Sequence, residues 1–246
     1  MRLESPPGFR SATRCLGLLA VLLLAGSGRA LAQDSSPAPG AAPALPSVTF
    51  TQAFPRGTPA YFSLRIDSAG HAAYESRREE GEPGQPVLSE PYQTEFQVSE
   101  ATALRVFELA KTLDYFQGDW DFKKHRIADT GRKTLLYTDS TRTHQTTYNW
   151  SENRAVQELT DLLQGIANTQ EAAYELNRLR RYDRLGLNHQ LERMEDMAKN
   201  GWLRELPVIA PLLEKLANDR EVMNIARKRA QHLLDMAASS SPSISD

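Results

Sequence analysis

The chain has 246 residues, 24% of them charged, a net charge of −2 and one cysteine, Cys15. It lacks the excess of positive charge that non-specific binding to nucleic acid or to an anionic membrane requires. Cys15 lies in a segment expected to be removed, so disulfides, thiolate nucleophiles and cysteine-based metal sites are excluded from the mature chain.

Residues 1–32 read as a secretory signal peptide. Arg2, Arg10 and Arg14 form a basic start, Cys15 to Gly26 is an apolar run, and Ala30-Leu31-Ala32 offers a small-x-small cleavage pattern before Gln33. The run is short of the about 20 apolar residues that span a bilayer. The mature protein is expected in the periplasm or outside the cell, with no transmembrane segment. Removing Arg2, Arg10, Arg14, Arg29 and Glu4 with the leader takes the net charge from −2 to −5. Residues 33–47 are rich in Pro, Ala and Ser and predict a flexible linker, because they have too little apolar surface to offset ordering entropy.

Residues 48–150 carry strand periodicity around one helix. Phe62, Leu64 and Ile66 alternate, Asp67 to Gly70 is turn chemistry, and His71 to Glu75 returns as a hairpin partner. Residues 79–91 are charged and rich in Pro and Gly, and predict a loop. Tyr92, Thr94, Phe96 and Val98 alternate as a further strand. Ser99 suits a helix N-cap, with Glu100 in the first turn and Ala103, Val106, Phe107, Ala110 and Leu113 at helical spacing. Lys133–Tyr137 and Thr143–Asn149 predict a hairpin turning at Asp139-Ser140.

Residues 151–237 have a helical period. Ser151 is expected to cap a long helix with a stripe of Ala155, Leu159, Leu162 and Ile166, bent near Gly165 and stopping at Leu185-Gly186. Three helices should follow, at 188–200, 203–218 and 220–237, with Pro207 and Pro211 delaying or kinking the second. Residues 238–246 predict a frayed, disordered tail. The fold class expected is α+β: an antiparallel sheet of four to six strands with one packed helix, joined through the long helix to a C-terminal helical bundle.

The segment Leu206-Pro-Val-Ile-Ala-Pro-Leu-Leu213, with Asp219, Ile225-Ala226-Arg227 and Ala230 to Leu234, resembles one helix pair of a HEAT repeat. Stacked HEAT pairs bind proteins, which is what the resemblance implies. The whole chain is similar to exported bacterial proteins of unknown function. Its leader, Ile127-Ala-Asp-Thr-Gly131, Asn149-Trp-Ser151 and Arg181-Tyr-Asp-Arg-Leu-Gly186 carry that likeness, which implies no activity.

Among candidate chemistries, Asp129-Thr130-Gly131 is the tripeptide of aspartic proteases, which need two such aspartates. Here it occurs once, after Lys123-Lys124-His125-Arg126 and before Arg132, and reads as a polar turn leading into the Lys133 strand. The stretch Tyr115 to Phe122 is the densest in aromatics. Its rings either staple the helix end at Leu113 onto the sheet or form a binding surface. His189 and Glu192 share a helix face, but two ligands do not fix a zinc ion. Arg178, Arg180, Arg181 and Arg184 crowd a helix end, where they complement the dipole or meet an anionic partner. Asn149-Trp150-Ser151 matches a glycosylation acceptor.

No catalytic residue, metal or cofactor is assigned. The expected function is a non-enzymatic protein-interaction module whose partner is another envelope or extracellular protein, or a glycan. Tyr115, Phe116, Trp120, Asp121 and Asp129 are the candidate binding residues. The alternative is a glycan-binding protein, or a polysaccharide-directed hydrolase drawing its acids from Asp119, Asp121 and Asp129.

Overall fold

A computed structural model describes residues 45–55, 57–80 and 87–240. The expected leader and residues 33–44 of the expected linker lie outside the described residues, as do 241–246 of the expected tail. Six antiparallel strands form one sheet: β1 (Ser47–Ala53), β2 (Tyr61–Asp67), β3 (His71–Arg77), β6 (Tyr92–Gln97), β7 (Arg132–Thr138) and β8 (Thr143–Tyr148). The order is β6-β3-β2-β1-β7-β8. The short strands β4 (Glu79–Glu80) and β5 (Val87–Leu88) pair with each other within the segment expected to be a loop.

Period-two patterning fixes which face is buried. Val48, Phe50, Phe62, Leu64, Ile66, Ala72, Tyr74, Leu135 and Tyr137 point into one core. Ser47, expected to close the linker, is buried and opens β1. At the β7–β8 turn, one oxygen of Asp139 accepts the N–H groups of Thr141 (2.7 Å) and Arg142 (2.9 Å) and the Thr141 hydroxyl (2.7 Å).

Helix α1 (Glu100–Thr112) begins at the Ser99 cap, as its sequence predicts, and buries Ala103, Val106, Leu109 and Ala110 against the sheet. Helix α2 (Arg154–Tyr182) is continuous through Gly165. Its N-cap is Asn153 rather than Ser151. The Asn153 Oδ1 accepts from the N–H of Ala155 (2.9 Å) and Val156 (3.3 Å), while Ser151 Oγ accepts only from Asn153 N–H. Gly165 serves a close approach, since a Cβ there would lie 2.5 Å from Arg204 Cγ.

Val156, Leu159, Leu163 and Ile166 of α2 belong to the sheet's core. Ala173, Leu176 and Leu179 belong to a second core, shared with α3 (Leu187–Lys199), a 3₁₀ turn (Leu206–Ile209), α4 (Ala210–Asn218) and α5 (Asn224–Ser240). The Pro207 and Pro211 positions delay the regular helix to Ala210, because proline fits a first turn but not an interior. Helix α5 runs to Ser240, so residues 238–240 are helical where the tail was expected. Arg229 of α5 bridges Glu192 and the buried Glu195 of α3, and His232 also meets Glu195 (2.9 Å). Glu192 is thus engaged by an arginine, with His189 3.8 Å away. Among the described residues no helix is long and apolar enough to cross a membrane.

Glu205, in the left-handed region at φ 57°, ties the two cores together. Its carboxylate accepts the Ser99 N–H (2.9 Å), the Ser99 hydroxyl (2.7 Å) and the Thr102 hydroxyl (2.5 Å) at the N-terminus of α1. A negative charge there also meets the positive end of the helix dipole.

Glu205→Ala strands three donors and should lower the stability of the mature chain by about 2 kcal/mol in urea unfolding, with Glu205→Gln costing less. Hydrogen bonds from Thr141 and the adjacent backbone pull the Asp139 carboxyl down from 3.8 to about 2. Below 3.8 the unfolded chain takes up the proton first, so this contribution is present above 3.8 and is lost as pH falls toward about 2. Asp139→Ala should therefore be less stable than the parent at neutral pH, and acid titration of both melting curves should show the gap closing over that window.

Candidate functional site

Residues 117–131 connect α1 to β7 without regular secondary structure. They follow a left-handed turn at Asp114–Phe116, whose three residues have φ of 47°, 53° and 70°. Such backbone costs about 1–2 kcal/mol per non-glycine residue. Side-chain packing offsets that cost. Phe116 is fully buried, and the Tyr115 ring packs 4.7 Å from Tyr137 beneath the Arg142 guanidinium, 4.4 Å away.

Asn149, at the end of β8, pins the rest of the loop. Its Oδ1 accepts the Thr130 N–H (2.8 Å) and hydroxyl (2.9 Å), and its Nδ2 donates to the Ala128 carbonyl (2.8 Å). Its own N–H donates to the Asp121 carboxylate (2.9 Å). Phe122 N–H reaches the Trp150 carbonyl (2.9 Å), and the two rings meet edge-on at 5.0 Å. Lys133 completes the anchor from β7. Only 6% exposed, its ammonium donates to the Thr130 hydroxyl (2.9 Å), the Asn149 carbonyl (2.9 Å) and the Thr130 carbonyl (3.3 Å). Burial pushes its pKa below the usual lysine value, with the charge of Asp129 pulling the other way.

Two depressions flank this anchor. One, of about 360 Å³, lies between the end of β8 and the first turns of α2, with Trp150, Gln157, Asp161 and Gln164 in its wall. Tyr148 at its base bonds the Thr160 hydroxyl (2.5 Å), and burial raises its pKa far above the ordinary phenol range, so it stays protonated near neutral pH. The other, of about 480 Å³, holds Asp121, Asp129 and Arg132.

The five sequence-predicted binding residues do not form one surface. Phe116 is a core residue, which leaves its ring no face for a ligand. Tyr115 is half-buried against Tyr137. Trp120 packs onto the sheet's core with its indole N–H buried and without a hydrogen-bond partner among the described residues. Asp121 and Asp129 do share the second depression, but each uses an oxygen on backbone, Asp121 on Asn149 and Asp129 on the Gly131 N–H (2.9 Å). Asp119 pairs with Lys123. No family model matches the chain, and no curated protein matches it.

A third feature lies at the far end of α2. A groove of about 710 Å³ is walled by Arg178, Arg180, Arg181 and Arg184 with Tyr92, Tyr174 and Tyr182. Three of the arginines are committed to acids: Arg178 to Glu175 (2.6 Å), Arg180 to Asp219 (3.5 Å) and Arg184 to Glu221. Arg181 forms no ion pair among the described residues and lies 5.8 Å from the Tyr182 ring.

The sequence reading missed Lys133, Trp150, Gln157, Asp161 and Gln164. One signal was available: 157, 161 and 164 are spaced by four and three, so they form a polar stripe beside the apolar stripe of α2. Asn149→Ala should remove the loop's central anchor, lowering stability by about 1–2 kcal/mol. Hydrogen exchange should then show faster amides at 128–131, with the β2–β3 hairpin unchanged.

Proposed function

We propose that this chain is an exported, non-enzymatic protein-interaction module, contacting another envelope or extracellular protein through the corner where α2 gives way to α3. One observation carries the reading: Tyr182 and Leu185, at that corner, are each 74% exposed. Large apolar side chains left this far out of a core contribute nothing to folding and are suited to burial by a partner.

Their surroundings support it. The Arg180–Asp219 and Arg184–Glu221 pairs hold the turn before α5 against the end of α2. Shortly after Glu221 in the chain, Met223 and Ile225, the latter in the first turn of α5, are 40% and 52% exposed. Tyrosine, methionine and arginine are the residues that protein interfaces favour, and Arg181 is free to pair with a partner's carboxylate. The leader read in residues 1–32 supports export.

Two measurements test the reading. N-terminal sequencing of the protein recovered from outside the cytoplasm should begin at Gln33; a chain retaining residues 15–26 overturns export. The mature chain should capture a saturable protein partner from the envelope fraction. The double variant Tyr182→Ser/Leu185→Ser should lose it by about tenfold or more while keeping the parent's melting temperature. Undiminished capture by that variant overturns the assignment of the corner.

A further inference from the structure

We propose that the cleft beside Trp150 is a binding site for a neutral, hydroxyl-rich ligand of one or two sugar rings, independent of the α2–α3 corner. Its volume of about 360 Å³ falls at the lower end of the about 300–1,000 Å³ usual for small-molecule pockets. The site differs from the 115–122 aromatic stretch, of whose rings Phe116 is buried, Tyr115 and Trp120 pack on the sheet's core and Phe122 braces Trp150.

The wall of the cleft has one apolar plane and several unspent acceptors. Trp150 is 40% exposed and is braced edge-on by Phe122, so its ring is held in place before any ligand arrives. A flat aromatic face of this kind matches the C–H face of a pyranose. Gln157 donates its amide to the Ser151 carbonyl (2.8 Å), and Gln164 donates to the Gln52 side-chain oxygen (3.1 Å). Those bonds orient both amides, and among the described residues no donor reaches either Oε1. Asp161 accepts no hydrogen bond and forms no ion pair among the described residues. Three residues on one stripe of α2 therefore ask for donors, which sugar hydroxyls supply in adjacent pairs.

Charge narrows the ligand class. The Lys133 ammonium lies in the same wall, but its three N–H groups are already held by Thr130 and Asn149. It is not available to grip an anion, and its charge repels a cationic donor. The Asp161 carboxylate repels an anion directly. A neutral donor satisfies the acceptors without either conflict.

The test is a titration of the mature chain with neutral disaccharides of the gluco, galacto, manno and N-acetylglucosamine series, followed by NMR shifts of the tryptophan indole N–H signals. One series should saturate at or below about 10 mM and shift the Trp150 signal. Trp150→Ala and Asp161→Asn should each weaken that binding by about tenfold, and Trp202→Ala, at an exposed ring elsewhere, should leave it unchanged. Asp161 is an exposed helix position, so its variant keeps the test valid if the Trp150 variant fails to fold. The proposal is overturned if no series saturates, if Asp161→Asn binds like the parent, or if a polyamine, a uronic-acid oligomer or an uncharged peptide binds more tightly than every neutral sugar. None of these outcomes bears on the corner, whose variant should bind sugar normally.

Discussion

Helix α2 is the constraint on which the rest of the molecule depends. At 29 residues it is about 43 Å long, and it contributes the apolar residues of its first half to the sheet's core and those of its second half to the helical core. Between those halves its middle is tied by polar contacts. The Gly165 carbonyl accepts the Arg204 N–H (3.1 Å), and the buried Thr169 hydroxyl donates to the Arg204 carbonyl (2.6 Å). Glu171 takes the Tyr74 hydroxyl (2.8 Å) and Arg78 from the sheet. The strap that reaches Gly165 through Arg204 continues into Glu205, which grips α1. Sheet, α1 and helical core are thus fastened at the stretch of α2 where one core gives way to the other, between Ala167 and Ala172. Hydrogen bonds there add directional geometry to the apolar burial on either side.

The same helix separates the two surfaces proposed to bind. The polar stripe of the cleft lies in its first turns and Tyr182 at its last residue. Gln157 and Tyr182 are 25 positions apart, or about 38 Å along the axis. A saccharide at one end and a protein at the other would not collide. One unbroken helix joins the two surfaces, and they share no residue through which one event would act directly on the other.

Elements set by local periodicity were legible in the sequence. Phe62, Leu64 and Ile66, the Asp67–Gly70 turn, the Ser99 cap and the helical period of α2 each depend on residues within a few positions of one another, although α2 ends at Tyr182, before the expected stop at Leu185-Gly186. Misreadings arose where local signals competed or where the partner is distant. Ser151 and Asn153 are both good caps, and only the backbone path decides that Asn153 reaches the N–H groups of Ala155 and Val156. That Gly165 admits Arg204, 39 positions later, is a use no local signal announces. For the aromatic stretch, Phe116 included, the sequence left two readings open, packing against the sheet or a binding surface. A run of left-handed backbone, which no composition announces, turns that ring inward. Glu205 grips a serine 106 positions away, a contact no window of sequence contains.

The 117–131 loop shows how such distant contacts build a site. It has no period and few apolar residues, so burial alone cannot order it. Order comes from Asn149 and Lys133, each holding several oxygens or N–H groups at once. A hydrocarbon at 133 would fill the same space but would leave the carbonyls of Thr130 and Asn149 without this donor. The ammonium's desolvation is the cost of closing the loop over β8, and three oxygen acceptors recover much of it. The closed loop brings Phe122 behind Trp150 and thereby fixes one wall of the cleft. It also commits Asp121 and Asp129 to backbone N–H groups, so these carboxylates hold the site's frame. The chemistry that a sequence reading sought in those aspartates is displaced onto neighbours whose polar atoms remain unspent: Gln157, Asp161 and Gln164 on α2.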